Sequence, residues 1–198
     1  LLTSTHGLTA GRTLTRTLPI VAIDVETDAV ASAFVASLAQ AGTNVTGLFL
    51  DLPEMSGKLV QFLKEAVPAV TRVAILWDAA ISRAQFEATE KAARAAGITI
   101  HSATVQKASD FTAAVGGAVR DGAHALIALS APLMLLNQAR IDELALHHRL
   151  PAVTLFALLA GGRRFMSYGP NLDDMFRRSA SYVDRILKGA PVAALRAS

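Results

Sequence analysis

The chain has 198 residues, of which 52% are hydrophobic and 18% are charged, and its formal net charge at pH 7 is +3. This composition is typical of a globular protein with a sizeable core, and it excludes disordered, fibrous and coiled-coil proteins. The chain has no cysteine, which excludes disulfides, thiolate metal sites and cysteine nucleophiles. Apolar runs are short and interrupted, so we expect no membrane-spanning segment. Basic residues are scattered, so we expect no nucleic-acid partner.

Strand and helix patterns alternate in chain order. Strands are predicted over residues 1–5, 19–25, 45–50, 72–77, 98–105, 123–129, 151–156 and 165–168. Helices are predicted over residues 7–17, 29–41, 55–67, 82–96, 110–120, 133–148 and 172–188, with Ser109 or Asp110 capping the fifth and Asn171 the last. Such alternation predicts an α/β fold of βαβ units, in which parallel sheets carry helices on both faces.

Candidate binding residues follow the predicted strands. In parallel α/β sheets, ligands bind at the carboxyl ends of the strands, and the N-terminus of a following helix favours a carboxylate. The alternative is that these hydroxyl and acidic side chains are only helix N-caps. The predicted ligand-binding residues are Ser4, Thr5, His6, Thr27, Asp28, Asp78, Ser130, Ala131 and Phe156.

Most catalytic signatures are missing from the sequence. Ser56-Gly57-Lys58 lacks the leading glycine of a P-loop, and Leu59 stands where a magnesium-binding hydroxyl belongs. His147 and His148 are adjacent, so they do not share the helix face that two histidine ligands of one metal need. We therefore expect a binding protein rather than an enzyme, with no cofactor and no metal site. The chain starts at Leu1 without a methionine or a signal peptide, so we also expect it to be the later part of a longer precursor.

A series of short segments carries a family resemblance. They are DAV and FVASL within 28–38, GTNVTG at 42–47, EMSGK at 54–58, RVAIL at 72–76, RLPA at 149–152, MSYGP at 166–170 and YVDRILKGA at 182–190. Their order and spacing make the chain resemble the substrate-binding proteins of bacterial ABC transporters, a family that includes the tryptophan-binding type. The resemblance covers nearly the whole chain.

That resemblance implies a type I periplasmic-binding-protein-like α/β fold with two parallel-sheet lobes. Lobe one, in partial form, would contain residues 1–50 and 171–198, and lobe two residues 53–165, with crossovers near 50–53 and 165–170. It further implies that a small ligand binds between the lobes and that ABC permease subunits in the membrane receive it. The protein would then be periplasmic, or lipid-anchored outside the cytoplasm. A partial lobe exposes sheet edge, so self-association through it is a further expectation.

Several candidate site positions depart from the family pattern. Ser4 and His6 differ from the family's residues around the matching Thr5, and Asp78 and Ser130 also replace other residues. Because these positions set specificity, the resemblance does not carry tryptophan over as the ligand, and we expect an amino acid or another carboxylate. The alternative function is that of a sensory or regulatory domain with the same fold.

Overall fold

The computed structural model describes residues 1–2, 5–24, 44–156 and 166–195. Two compact units make up the chain: unit 1 is Leu1–Leu52 with Asn171–Ser198, and unit 2 is Pro53–Pro170. The helix predicted over 29–41 lies outside the described residues. Within those residues, no helix combines the length and the apolar character needed to cross a bilayer.

Most of the described elements follow the predicted order of strands and helices. The strands are β1 Ile20–Asp24, β2 Val45–Phe49, β3 Arg72–Trp77, β4 Thr99–Thr104, β5 Ala125–Ala128, β6 Ala152–Thr154 and β7 Met166–Ser167. The helices are α1 Thr5–Leu14, α2 Leu52–Ala66, α3 Arg83–Ala95, α4 Phe111–Arg120, α5 Pro132–Leu136, α6 Gln138–His147 and α7 Leu172–Leu187. Short 3-10 turns occupy Ala108–Asp110 and Val192–Ala194.

Unit 1 contains the parallel pair β1 and β2, which bury side chains on both faces. One face packs with Leu8 of α1, and the other packs with Met175 of α7. Gly47 of β2 lies so close to β1 that a Cβ atom there would overlap the carbonyl oxygen of Ala22, and its φ of 150° also suits glycine. The close strand contact therefore depends on glycine at position 47.

Unit 2 contains a five-stranded sheet in the order β4-β3-β5-β6-β7, and every neighbouring pair is parallel. Ala74 and Leu76 of β3 belong to a core cluster with side chains of α4, α5 and α6 on one face. Trp77 points to the opposite face, where its ring stacks on Phe86 of α3 at a centroid distance of 4.2 Å. Helices thus cover both faces of the sheet, as buried parallel strands require.

The region predicted as one helix over 133–148 is two helices. Asn137 separates α5 from α6, with φ −115° and ψ 21°, outside helical geometry. Its Nδ2 atom donates to the carbonyl oxygen of Leu133 at 2.8 Å. The side chain of Asn137 thus bonds a main-chain carbonyl of the preceding helix. Such a side-chain bond competes with the main-chain bonds of a continuous helix.

Other predicted features also differ from the structure. The predicted strand over 1–5 is reduced to a parallel bridge between Leu2 and Ala22, and Thr5 already belongs to α1. Helix α2 starts at Leu52, whereas the sequence predicted a start at residue 55. The proline at position 53 is tolerated because the N–H that it lacks would have no helical partner in the first turn. Asp110 does not cap α4 with its side chain. Its Oδ2 atom bonds backwards instead, to the N–H groups of Gln106 and Lys107.

Candidate functional site

The carboxyl edge of the unit 2 sheet brings together four of the predicted site residues. Asp78 follows β3, Ser130 and Ala131 follow β5, and Phe156 lies just beyond β6. These three strands are adjacent in the sheet. Because parallel strands end at the same edge, the residues that follow them meet there.

The other predicted site residues are not part of this edge. Thr5 and His6 belong to unit 1, where their backbone forms the first turn of α1. They follow the parallel bridge between Leu2 and Ala22, although α1 starts earlier than its apolar pattern indicates, and their role in ligand binding stays a prediction. Ser4, Thr27 and Asp28 lie outside the described residues.

Three hydrogen bonds hold the main chain of Ser130. Its N–H donates to Oε1 of Gln85 at 3.0 Å, and its carbonyl oxygen accepts from Nε2 of Gln85 at 2.9 Å and from Oγ of Ser82 at 2.8 Å. All three residues are buried. We call these three bonds the Ser130 clamp. It fixes the turn after β5, since water cannot replace its partners at this depth.

Asp78 shapes the start of α3. Its Oδ1 atom accepts a hydrogen bond from the N–H of Ala80 at 2.9 Å, and its carbonyl oxygen accepts from the N–H of Ser82 at 2.8 Å. The residue is only 9% exposed. One carboxylate oxygen of Asp78 thus holds the turn from which Ser82 and α3 reach the Ser130 clamp.

Ala131 and Phe156 are both buried at this edge of the sheet. Ala131 is buried and extended, as residues that precede a proline usually are. Phe156 is 2% exposed, and its carbonyl oxygen accepts from Nε2 of Gln138 at 3.3 Å. Its ring is therefore part of the packed interior of the described structure.

Ser82, Gln85 and Gln138 were not predicted from the sequence. One signal was available for Gln85, which lies four and eight residues before Thr89 and Ala93 on the buried face of α3. A polar residue in line with a buried stripe has to find a partner inside the fold. No comparable signal identifies Gln138, because its role depends on the break at Asn137.

The chemistry of this edge is that of hydrogen-bonded recognition. It offers a hydroxyl, a carboxylate and fixed main-chain groups on a rigid support. Across the described ranges, no group of three or more His, Asp or Glu side chains is placed to hold a metal ion. A constrained polar edge between buried strands is typical of ligand-binding sites in parallel α/β folds.

Several solved structures have a fold similar to that of this chain. A conserved domain protein from Vibrio cholerae matches with a TM-score of 0.81 and 24% identity, over 100% of this chain and 66% of that chain. The ABC domain in complex with L-Trp from Streptococcus pneumonia matches with a TM-score of 0.78 and 18% identity, over 100% of this chain and 68% of that one. A LacI transcriptional regulator from Lactobacillus brevis matches with a TM-score of 0.63 and 16% identity, over 98% and 73%.

These likenesses define a type I periplasmic-binding-protein-like fold, as the sequence predicts. The chain spans about two thirds of the length of the first two structures. No curated protein matches the chain. The family model for ABC transporter substrate binding proteins matches residues 4–198, and the chain belongs to that family.

Proposed function

We propose that this protein is the non-catalytic solute-binding component of an ABC-type uptake transporter. It acts outside the cytoplasm, binds a small carboxylate such as an amino acid, and delivers it to permease subunits in the membrane. The family match over residues 4–198 carries this proposal. The likeness to a protein described as a complex with L-Trp supports an amino acid as the ligand class.

The carboxyl edge of the unit 2 sheet is the proposed ligand contact surface. The Ser130 clamp uses only the main chain of Ser130 within the described structure. The hydroxyl is therefore not needed to hold the turn, and a ligand oxygen can bond to it. Rigid support of a free polar group limits the ordering that ligand binding costs.

A thermal-shift panel tests this function. We expect the unfolding temperature of the wild-type protein to rise with members of one class among amino acids, hydroxy acids and unsubstituted carboxylic acids. Ligand at one hundred times its dissociation constant should stabilise the fold by about 2.7 kcal/mol.

Substitution of Ser130→Ala locates the site. We expect the ligand-free protein to lose less than about 0.5 kcal/mol of unfolding free energy, because the clamp remains. Affinity should fall several-fold, through the lost hydroxyl contact. Unchanged affinity would remove Ser130 from the site, and a panel without any stabilising compound would contradict the proposed ligand class.

A sensory or regulatory domain is the second candidate function. The likeness to a LacI transcriptional regulator favours it, although at 16% identity that likeness concerns the fold alone. Ligand-dependent stimulation of a reconstituted permease and its ATPase would support transport. Ligand binding without stimulation by any permease encoded beside the protein would favour regulation.

A further inference from the structure

A small cavity lies between α5, α6 and the carboxyl ends of β5 and β6. Its volume is about 20 Å³, which is room for one water-sized group. Ser130 and Phe156 line it, as do Thr154, Gln138 and Asp142. The cavity therefore adjoins the edge at which we place the ligand, and the partly exposed Thr154 and Asp142 form its rim.

Gln138 leaves one hydrogen-bonding atom unused in this cavity. The residue is 7% exposed, and its Nε2 atom donates to the carbonyl oxygen of Phe156. Its Oε1 atom is buried, and among the described residues no donor reaches it. The two amide atoms cannot be exchanged, because the carbonyl of Phe156 only accepts hydrogen bonds.

A buried acceptor without a donor is costly, and native structures contain few of them. The simplest resolution is that a donor from outside the chain enters the cavity. An amide oxygen only accepts hydrogen bonds, so Oε1 of Gln138 suits an N–H or O–H group in the cavity.

We propose that Gln138 is a specificity-determining residue whose Oε1 atom accepts a hydrogen bond from an ammonium or hydroxyl group of the ligand. This inference rests on the proposed function and deepens it. It narrows the ligand from carboxylates in general to those that also carry a small donor group, namely amino acids or hydroxy acids. Apolar side chains such as Met134 and Ile141 complete the cavity and offer a bulkier ligand group no polar partner.

Matched trios of acids test the inference by isothermal titration calorimetry. Suitable trios are alanine, lactate and propionate, or phenylalanine, phenyllactate and 3-phenylpropionate. The wild-type protein should bind a donor-bearing member at least about tenfold more tightly than the unsubstituted acid. An advantage held by the amino acid alone identifies an ammonium donor, and one shared by the hydroxy acid identifies a hydroxyl.

The variant Gln138→Met keeps the length of the side chain and removes the acceptor. It also removes the bond to Phe156, but that loss affects every acid of a trio and cancels in the affinity ratio. The ratio between donor-bearing and unsubstituted acids should fall to about one. The control Glu143→Gln changes an exposed residue of the same helix that does not line the cavity, and it should keep the wild-type ratio.

Failure of this inference is distinguishable from failure of the proposed function. If acids bind but the ratio is near one in the wild type, or is unchanged in Gln138→Met, the role of Gln138 is refuted and the binding function stands. A water molecule at Oε1 in a crystal structure of the ligand complex would refute that role as well. If none of the acids binds, the proposed ligand class fails and this inference fails with it.

Discussion

Two loops at the carboxyl edge of the unit 2 sheet are each held by one side chain that bonds main-chain groups. In the loop after β5, Gln85 bonds the N–H and the carbonyl of Ser130. In the loop after β4, Asp110 accepts from two main-chain N–H groups, those of Gln106 and Lys107. The bonds of Gln85 are buried and those of Asp110 are solvent-exposed. Water can replace the second pair of bonds but not the first, so burial rather than the number of bonds should decide their weight.

The largest effect is expected from Gln85→Leu. This change leaves the buried N–H of Ser130 without a partner, and the free energy of unfolding should fall by about 2–3 kcal/mol. Urea unfolding of the ligand-free protein measures it. Ligand affinity should fall as well, because the turn that presents Ser130 is no longer fixed.

A matched control for that variant is Gln106→Leu in the other loop. Gln106 is exposed, and only its main-chain N–H takes part in the bond to Asp110. The unfolding free energy should change by less than about 0.5 kcal/mol. Similar losses in the two leucine variants would show that the loss in Gln85→Leu comes from the introduced leucine rather than from the broken hydrogen bonds.

A smaller effect is expected from Ser82→Ala. It removes one bond of the Ser130 clamp, but the carbonyl of Ser130 keeps its bond to Gln85. The cost should be about 1 kcal/mol in the wild-type background. In the Gln85→Leu background it should be larger, since the carbonyl then loses its last clamp partner. Additive losses in a double-mutant cycle would show that the two bonds act independently.

The smallest effect is expected from Asp110→Asn, and it depends on pH. The hydrogen bond from the Gln106 N–H, supported by that from Lys107, holds the pKa of Asp110 below its usual value. A carboxylate with a lowered pKa stabilises the fold above the pKa of the unfolded chain, and this contribution is lost as the pH falls through the lower folded value. The asparagine variant should therefore lose less stability than the wild type on acidification, as measured by urea midpoints. An identical pH dependence in the two proteins would show that the carboxylate of Asp110 does not contribute to the pH dependence of stability.

Local chemistry made several elements predictable from the sequence. The run RVAILW predicts a strand over 72–77, and β3 spans Arg72–Trp77, because a strand buried on both faces needs continuous apolar residues. The cap of the last helix is also confirmed, since the side chain of Asn171 accepts from the N–H of Asp174. These signals lie within a few neighbouring residues. The α/β class follows from their alternation.

The parts of the site that depend on distant contacts were not predictable in this way. In the sequence, Gln85 is one of many polar residues on a charged helix. Its contact with Ser130 cannot be predicted without knowing that β5 pairs with β3. Gln138 follows an interruption at Asn137 that the apolar period does not reveal. The sequence placed Asp78 and Ser130 at strand ends, and the structure shows that their strands β3 and β5 are adjacent. Their supporting hydrogen bonds needed the packed structure.

The Ser130 clamp also has a consequence for the lifetime of the folded protein. Gln85 and Ser130 are 45 residues apart in sequence, and β4, α4 and β5 lie between them. A side-chain contact of such long range is expected to form only after these strands have paired, late on the folding pathway. Gln85→Leu should then unfold faster while refolding at the wild-type rate, which stopped-flow kinetics can show. The clamp would thus prolong the native state without hastening its formation.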